Sequence, residues 1–170
     1  MRYLTAPWRA AYVRKAVTMK NCVFCDALKA GDDRKAAVLY RGRRNVIMLN
    51  RYPYTPGHLM IAPSRHVADF EKARPEERDE LAELLQVALR VLRAHYRPHG
   101  FNTGMNLGHS AGAGITGHYH LHIIPRWTGD SNFMPLVGGT RVFIEDLETT
   151  YGRLRPLFDR ERKRRRRAGR

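Results

Sequence analysis

Cysteine is almost missing from this chain: Cys22 and Cys25 are the only two in 170 residues. Two thiols spaced C-x-x-C define no disulfide framework, and no second such pair stands ready to complete a four-cysteine zinc site. Long hydrophobic runs are missing too. No apolar stretch approaches the roughly 20 residues that a bilayer span requires, so no membrane segment is expected. The opening Met1-Arg2-Tyr3-Leu4-Thr5-Ala6-Pro7-Trp8-Arg9 has no apolar core, so no signal peptide is expected and cytoplasmic localisation is the default. Acidic residues are scarce, 16 against 31 Lys and Arg, for a net charge of +15. There is no internal repeat, and neither the P-loop pattern nor the dinucleotide-binding glycine fingerprint occurs.

What is present suits one domain. A chain of this length with 43% hydrophobic residues can bury a real core. The positive charge is uneven: from Arg153 onward ten Lys/Arg face two Asp/Glu. This divides the chain into an N-terminal arm (1–20), a core domain (21–152) and a basic tail (153–170), with residues 160–170 expected to be disordered. A moderately basic body suits an anionic substrate such as a polyphosphate.

Apolar segments punctuated by Gly and Pro predict closely spaced antiparallel strands. They are Ala36–Tyr40, Asn45–Asn50, His58–Ala62 and Phe101–Leu107. A helical turn is expected over Asp26–Gly31 and a short extended segment over Thr140–Ile144. Pro75–Tyr96 has the clearest helical period, with Leu81, Leu84, Leu85, Ala88, Val91, Leu92 and His95 on one face. His95 reads there as structural. Glu145–Phe158 also reads as helical, interrupted near Pro156.

The chemistry gathers after Gly108. Gly108, Gly112, Gly114 and Gly117 fall within ten residues, a loop whose backbone N–H groups could approach an anion. His118-Tyr119-His120-Leu121-His122-Ile123-Ile124 follows as a fifth strand. Alternation puts the three histidines on one face, roughly 6.5–7 Å apart, and Tyr119, Leu121 and Ile123 on the other. Such a row can bind a metal, move protons or attack an electrophile. Cys22 and Cys25 could supply two zinc ligands if histidines supply the rest, or be a reduced or redox-active pair.

The histidine row resembles the His-φ-His-φ-His-φ-φ signature of the HIT (histidine triad) superfamily of nucleotide hydrolases and transferases. Asn50-Arg51-Tyr52-Pro53 and Pro56-Gly57-His58-Leu59-Met60-Ile61-Ala62-Pro63 are similar to that family's upstream strand pair. Cys22-x-x-Cys25 resembles its zinc-bearing members. Ala6-Pro7-Trp8-Arg9 and the run from Pro125 to Pro135 resemble the prokaryotic branch that includes diadenosine tetraphosphate phosphorylases. The resemblance implies an α+β fold: a five-stranded antiparallel sheet with the long helix packed on it. It also implies a homodimer in which two such sheets join.

For the site, the resemblance implies that His120 attacks the α-phosphorus of a nucleotide and forms a covalent intermediate. The backbone carbonyl of His118 would hold the His120 ring, and His122 would bond the phosphate. His58 would be a supporting histidine near the triad, hydrogen-bonding it, and one of the substrate-binding residues. Asn50 would contact the ribose, and Asn106 the phosphate or leaving group. Phe24, Ile47 and Leu49 would enclose the base. Structural zinc would sit on Cys22, Cys25, His66 and His118. Relatives carrying a hydroxyl or amide four residues before the first triad histidine have Gly114 as counterpart here, leaving leaving-group assistance to backbone N–H groups, Thr116 or Ser110. The expected substrate is a dinucleoside polyphosphate, diadenosine tetraphosphate first. Phosphoramidates or adenylated compounds, a nucleotide sensor without turnover, and a nucleic-acid-binding role through the basic tail are the alternatives.

Overall fold

In a computed structural model, residues 22–130 and 145–168 are described. The expectations for the arm 1–20, for Thr140–Ile144 and for most of the loop before it lie outside them. The order is α1 (Val23–Lys29), β1 (Val38–Arg41), β2 (Asn45–Leu49), β3 (Leu59–Pro63), α2 (Pro75–Tyr96), β4 (Gly100–Gly104), β5 (Leu121–Arg126) and α3 (Leu147–Ala168). The five strands form one sheet in the order β1-β2-β3-β5-β4. Every neighbouring pair is antiparallel. This is the expected α+β architecture.

Strand periodicity gives the sheet two faces. In register, Ile47 lies beside Ile61, and Ile61 beside Leu121. These residues, with Tyr119 and Ile123, meet Leu81, Leu84, Ala88 and Leu92 of α2 and Tyr151, Leu154 and Phe158 of α3. On the other face Met48 pairs with Met60, and Met60 with His122. Val46, Met48, Met60 and Ala62 there pack under Phe24 and Ala27 of α1. Both faces are covered, which is why β2 and β3 are buried along their whole length. Burying each such aliphatic side chain stabilises the fold by about 1.5–3 kcal/mol.

Three expectations need correction. The histidine strand joins the ladder only from Leu121; His118–His120 precede it, held by the Tyr119 N–H, which donates to the Val67 carbonyl at 2.9 Å. His95 is exposed, edge-on to Tyr96 rather than in the core. As far as Ala168 the basic tail is helical: α3 runs unbroken from Leu147 through Pro156. Pro156 is tolerated because it lies on the solvent side, and the carbonyl it deprives of a donor belongs to the exposed Gly152. Beyond it, ion pairs join turns of the helix: Arg155–Asp159 at 3.2 Å, Arg162–Asp159 at 2.9 Å and Arg164–Glu161 at 3.0 Å. Arg90–Glu161 and Arg165–Glu83 tie the same segment to α2.

The start of α2 is fixed by an acid, since Arg74 has no capping oxygen. Glu77, only 2% exposed, accepts from the Arg74 N–H at 2.8 Å and takes a two-pronged bond from Arg65, both prongs 2.9 Å. The Arg65 bond, with the Arg74 N–H adding, holds the Glu77 carboxyl down to about 2 against the burial that opposes it. Because the folded value lies below the ordinary 4.5, this stabilisation is present above that pH and lost as pH falls toward 2. Glu77→Gln keeps an acceptor for the cap and loses the charge. It is expected to cost about 2 kcal/mol in denaturant unfolding near neutral pH, a difference that shrinks by about pH 3. An equal penalty at both pH values would contradict the assignment.

Candidate active site and metal centre

Two clusters share one residue, His118. The first joins Cys22 and Cys25, at the N-terminal end of α1, with His66 just past β3 and with His118. Their ligand atoms all lie within 4.8 Å of one another. Cys22 Sγ is 3.3 Å and Cys25 Sγ 3.8 Å from His118 Nδ1, and Cys25 Sγ is 3.2 Å from His66 Nδ1. A tetrahedral zinc with bonds of 2.0–2.3 Å sets its ligand atoms roughly 3.3–3.8 Å apart, so the spacing fits. The His118 ring is oriented for it: Nε2–H donates to the Pro63 carbonyl at 2.8 Å, leaving the Nδ1 lone pair toward the sulfurs. A carbonyl holding the far nitrogen is the usual support of a metal-bound imidazole. Burial, followed by the neighbouring Cys22, pushes the Cys25 thiol up. A bound cation reverses that preference by holding the thiolate. The four residues form a Cys₂His₂ set able to hold zinc.

The second cluster is built on the segment leading into β5 and on the strand itself. His120 is 5% exposed. Its Nδ1 lies 2.9 Å from the His118 carbonyl, which can only accept, so Nδ1 carries the proton and Nε2 keeps a free lone pair. The Phe24 ring lies against both His118 and His120, with centroids 5.0 and 4.9 Å away. Phe24 therefore braces the histidines and closes one side of them.

His122 is polarised from the opposite end. The turn before β3 needs Gly57, which has φ of +73° and would place a Cβ 2.7 Å from the Tyr96 ring. That turn brings the Tyr54 N–H to His58 Nδ1 at 3.1 Å. His58 must then carry its proton on Nε2, which donates to His122 Nδ1 at 2.9 Å. His122 is left with Nε2–H as its outward donor. Tyr54 stacks on His58 with centroids 5.0 Å apart, and the His120 and His122 rings are 4.8 Å apart.

Burial holds all these imidazoles neutral. It lowers His58 to about 3, with His122 and His120 adding repulsion, and His122 to about 4, with His120 adding. It lowers His118 to about 4, His66 and His120 adding while the Pro63 carbonyl opposes. His120 is lowered by burial as well, opposed by its bond to the His118 carbonyl. A neutral base beside a neutral donor is what attack on a phosphoryl group requires.

The remaining candidates are unevenly placed. Asn50 is half-buried next to His58: Nδ2 is 3.4 Å from each ring nitrogen, and Oδ1 accepts from the Tyr52 N–H at 2.9 Å. Asn106 Nδ2 donates to the Gly112 carbonyl at 3.4 Å, across the glycine loop. Gly114 is half-buried, and Thr116 and Ser110 are exposed. Ile47 and Leu49, expected around the base, instead point into the helix-side core, on the sheet face opposite the histidines. The groups that sequence reasoning missed are main-chain ones, the Pro63 carbonyl and the Tyr54 N–H.

The chain is similar to known proteins. Residues 32–129 match the family model described as the HIT domain. The AP-4-A phosphorylase of Mycobacterium tuberculosis is 45% identical over 118 residues, covering 69% of this chain and 60% of that protein. The asymmetrical bis(5'-nucleosyl)-tetraphosphatase of Schizosaccharomyces pombe is 29% identical over 121 residues, covering 71% and 63% respectively. The chain thus aligns with somewhat under two thirds of the length of these two relatives. The crystal structure of a Zn-bound histidine triad family protein from Mycobacterium smegmatis superposes with a TM-score of 0.66 at 25% identity, covering 87% of this chain and 98% of that one. A family match over more than half the chain, and a fold of the same shape, agree with the histidine row: the chain belongs to the HIT family.

Proposed function

We propose that this protein cleaves dinucleoside polyphosphates, diadenosine tetraphosphate among them, by nucleotidyl transfer through His120. The observation that carries the reading is the opposed anchoring of two neighbouring imidazoles. The His118 carbonyl leaves His120 with a free Nε2 lone pair, while Tyr54 and His58 leave His122 with an outward Nε2–H.

In this mechanism His120 Nε2 forms a bond to the α-phosphorus as the bond to the bridging oxygen breaks. ATP leaves from diadenosine tetraphosphate, and AMP stays on the ring. The positive charge gained by the imidazole is eased by its Nδ1–H bond to the His118 carbonyl. His122 Nε2–H donates to a non-bridging phosphoryl oxygen, where charge is stabilised during transfer. Asn50, freed from the Tyr52 N–H, offers donor and acceptor to a ribose diol. Asn106 and the N–H groups around Gly114 and Thr116 attend the leaving polyphosphate. A second acceptor, water or inorganic phosphate, then attacks the same phosphorus and releases AMP or ADP. Zinc on Cys22, Cys25, His66 and His118 would serve as a structural clamp that fixes the segment holding His120.

The relative named AP-4-A phosphorylase favours phosphate as the second acceptor. Diadenosine tetraphosphate is therefore expected to give ATP and ADP when phosphate is supplied, by chromatography of the products. ATP with AMP whatever the phosphate level would assign water as acceptor instead. No nucleotide product under either condition would remove the proposal.

A further inference from the structure

The catalytic reading leaves the basic end of the chain unused, and the structure gives that end a shape. From Leu147 to Ala168, α3 carries nine Lys/Arg against three Asp/Glu. Its apolar stripe, Tyr151, Leu154 and Phe158, is buried against α2 and the sheet. At 100° per residue, Arg160, Lys163, Arg164 and Arg167 fall on the opposite side, and Arg166 borders them. Arg160, Lys163, Arg164, Arg166 and Arg167 are all exposed.

The acids in contact with this segment are committed to other arginines. Asp159 binds Arg155 and Arg162, and Glu161 binds Arg164 and Arg90. Glu83 of α2 takes Arg165, whose side chain points inward. Among the described residues, Arg160, Lys163, Arg166 and Arg167 make no ion pair within bonding distance. They form a ridge about 10 Å long from Arg160 to Arg167, on a helical segment tied to α2 by Arg90–Glu161 and Arg165–Glu83.

We propose that this ridge docks duplex nucleic acid through its phosphate backbone. Its charge complements a regular array of phosphates, and guanidinium groups suit phosphate oxygens in particular. No aromatic side chain lies on the ridge between Arg160 and Arg167 to stack the bases of a single strand. The same stretch has no apolar residue to insert into lipid, and the apolar residues of α3 before it are packed on the core. The ridge lies on the helix side of the sheet, whereas His120 and His122 face the other way, so a bound duplex leaves the histidine cleft open.

The test is fluorescence anisotropy of the full chain with a labelled duplex of about twenty base pairs, titrated with salt from about 50 mM upward. Wild type is expected to bind with a steep salt dependence. The combined variant Arg160→Gln, Lys163→Gln, Arg166→Gln, Arg167→Gln should bind at least about tenfold more weakly, with a shallower slope of log affinity against log salt. Arg160→Lys, Arg166→Lys, Arg167→Lys, which keeps the charge, should retain the salt slope. Equal thermal midpoints for the three proteins exclude misfolding as the cause. The proposal is overturned if wild type does not bind, or if the glutamine variant binds unchanged. Tighter binding to a single strand, or binding to phosphatidylserine vesicles in place of duplex, overturns it as well. None of these readouts depends on nucleotide cleavage, so the ridge and the catalytic proposal stand or fall separately.

Discussion

Replacing His120 by alanine is expected to lower kcat for diadenosine tetraphosphate by at least about 10³-fold while leaving the protein folded. The size follows from what the ring supplies. Its Nε2 is the one nitrogen of the row with both a free lone pair and a partner, the His118 carbonyl, able to take up the developing charge through Nδ1–H. His122 cannot substitute. Its Nδ1 is occupied by His58 and its Nε2 bears the proton, so it presents a donor where a nucleophile is needed. Water attacking directly would still find the His122 donor and the loop N–H groups, so a small residual rate is expected. His120 is not among the four metal-site residues, so the variant should match wild type in metal content and stay folded, with its thermal midpoint lowered only by the packing lost against Phe24. Retention of full turnover by such a folded variant would refute the nucleophile assignment.

The second large effect is loss of the metal site. Cys22→Ser with Cys25→Ser removes both sulfur ligands. Bound zinc measured by elemental analysis is expected to fall from about one per chain to none. Stability should drop with it, because a ligand that binds only the folded state adds about 4 kcal/mol when present at a thousandfold over its dissociation constant. A lowered thermal midpoint is the readout. The damage should also reach His120. His118 spends Nδ1 on the Cys–His cluster, Nε2–H on Pro63 and its carbonyl on His120. Loosening the first of these frees the carbonyl that fixes the nucleophile's tautomer, so kcat should fall more than KM rises. Wild type without zinc, or a double-serine variant with the wild-type thermal midpoint, would contradict this account.

The sheet was legible because apolar runs punctuated by Gly and Pro mark its strands, and strand geometry then alternates the faces: Met48, Met60 and His122 on one side, Ile47, Ile61 and Leu121 on the other. The same alternation could have warned that Ile47 and Leu49 turn away from the histidines, but a pattern of two does not say which face meets the helices. The basic tail misled for a different reason. A run of arginines reads as self-repelling, and only the fold shows Asp159, Glu161 and the distant Glu83 absorbing part of that charge. His95 had the i+3 spacing from Leu92, but Tyr96 at i+4 packs against the core instead and leaves His95 exposed. Cys22, Cys25, His66 and His118 were legible as a set only through family resemblance, because 96 residues separate the Cys22–His118 pair. The anchors of the His118 and His58 rings, at the Pro63 carbonyl and the Tyr54 N–H, are backbone groups and leave no trace in residue identity.

The covalent step can be observed directly. Wild-type protein mixed with diadenosine tetraphosphate without added phosphate, stopped within a turnover under alkaline conditions that preserve a phosphorus–nitrogen bond, can be digested and sequenced by mass spectrometry. An adenylyl group is expected on His120, absent when the His120→Ala variant is treated in the same way. Steady turnover with no adduct on His120, or an adduct on another residue in its place, would contradict it.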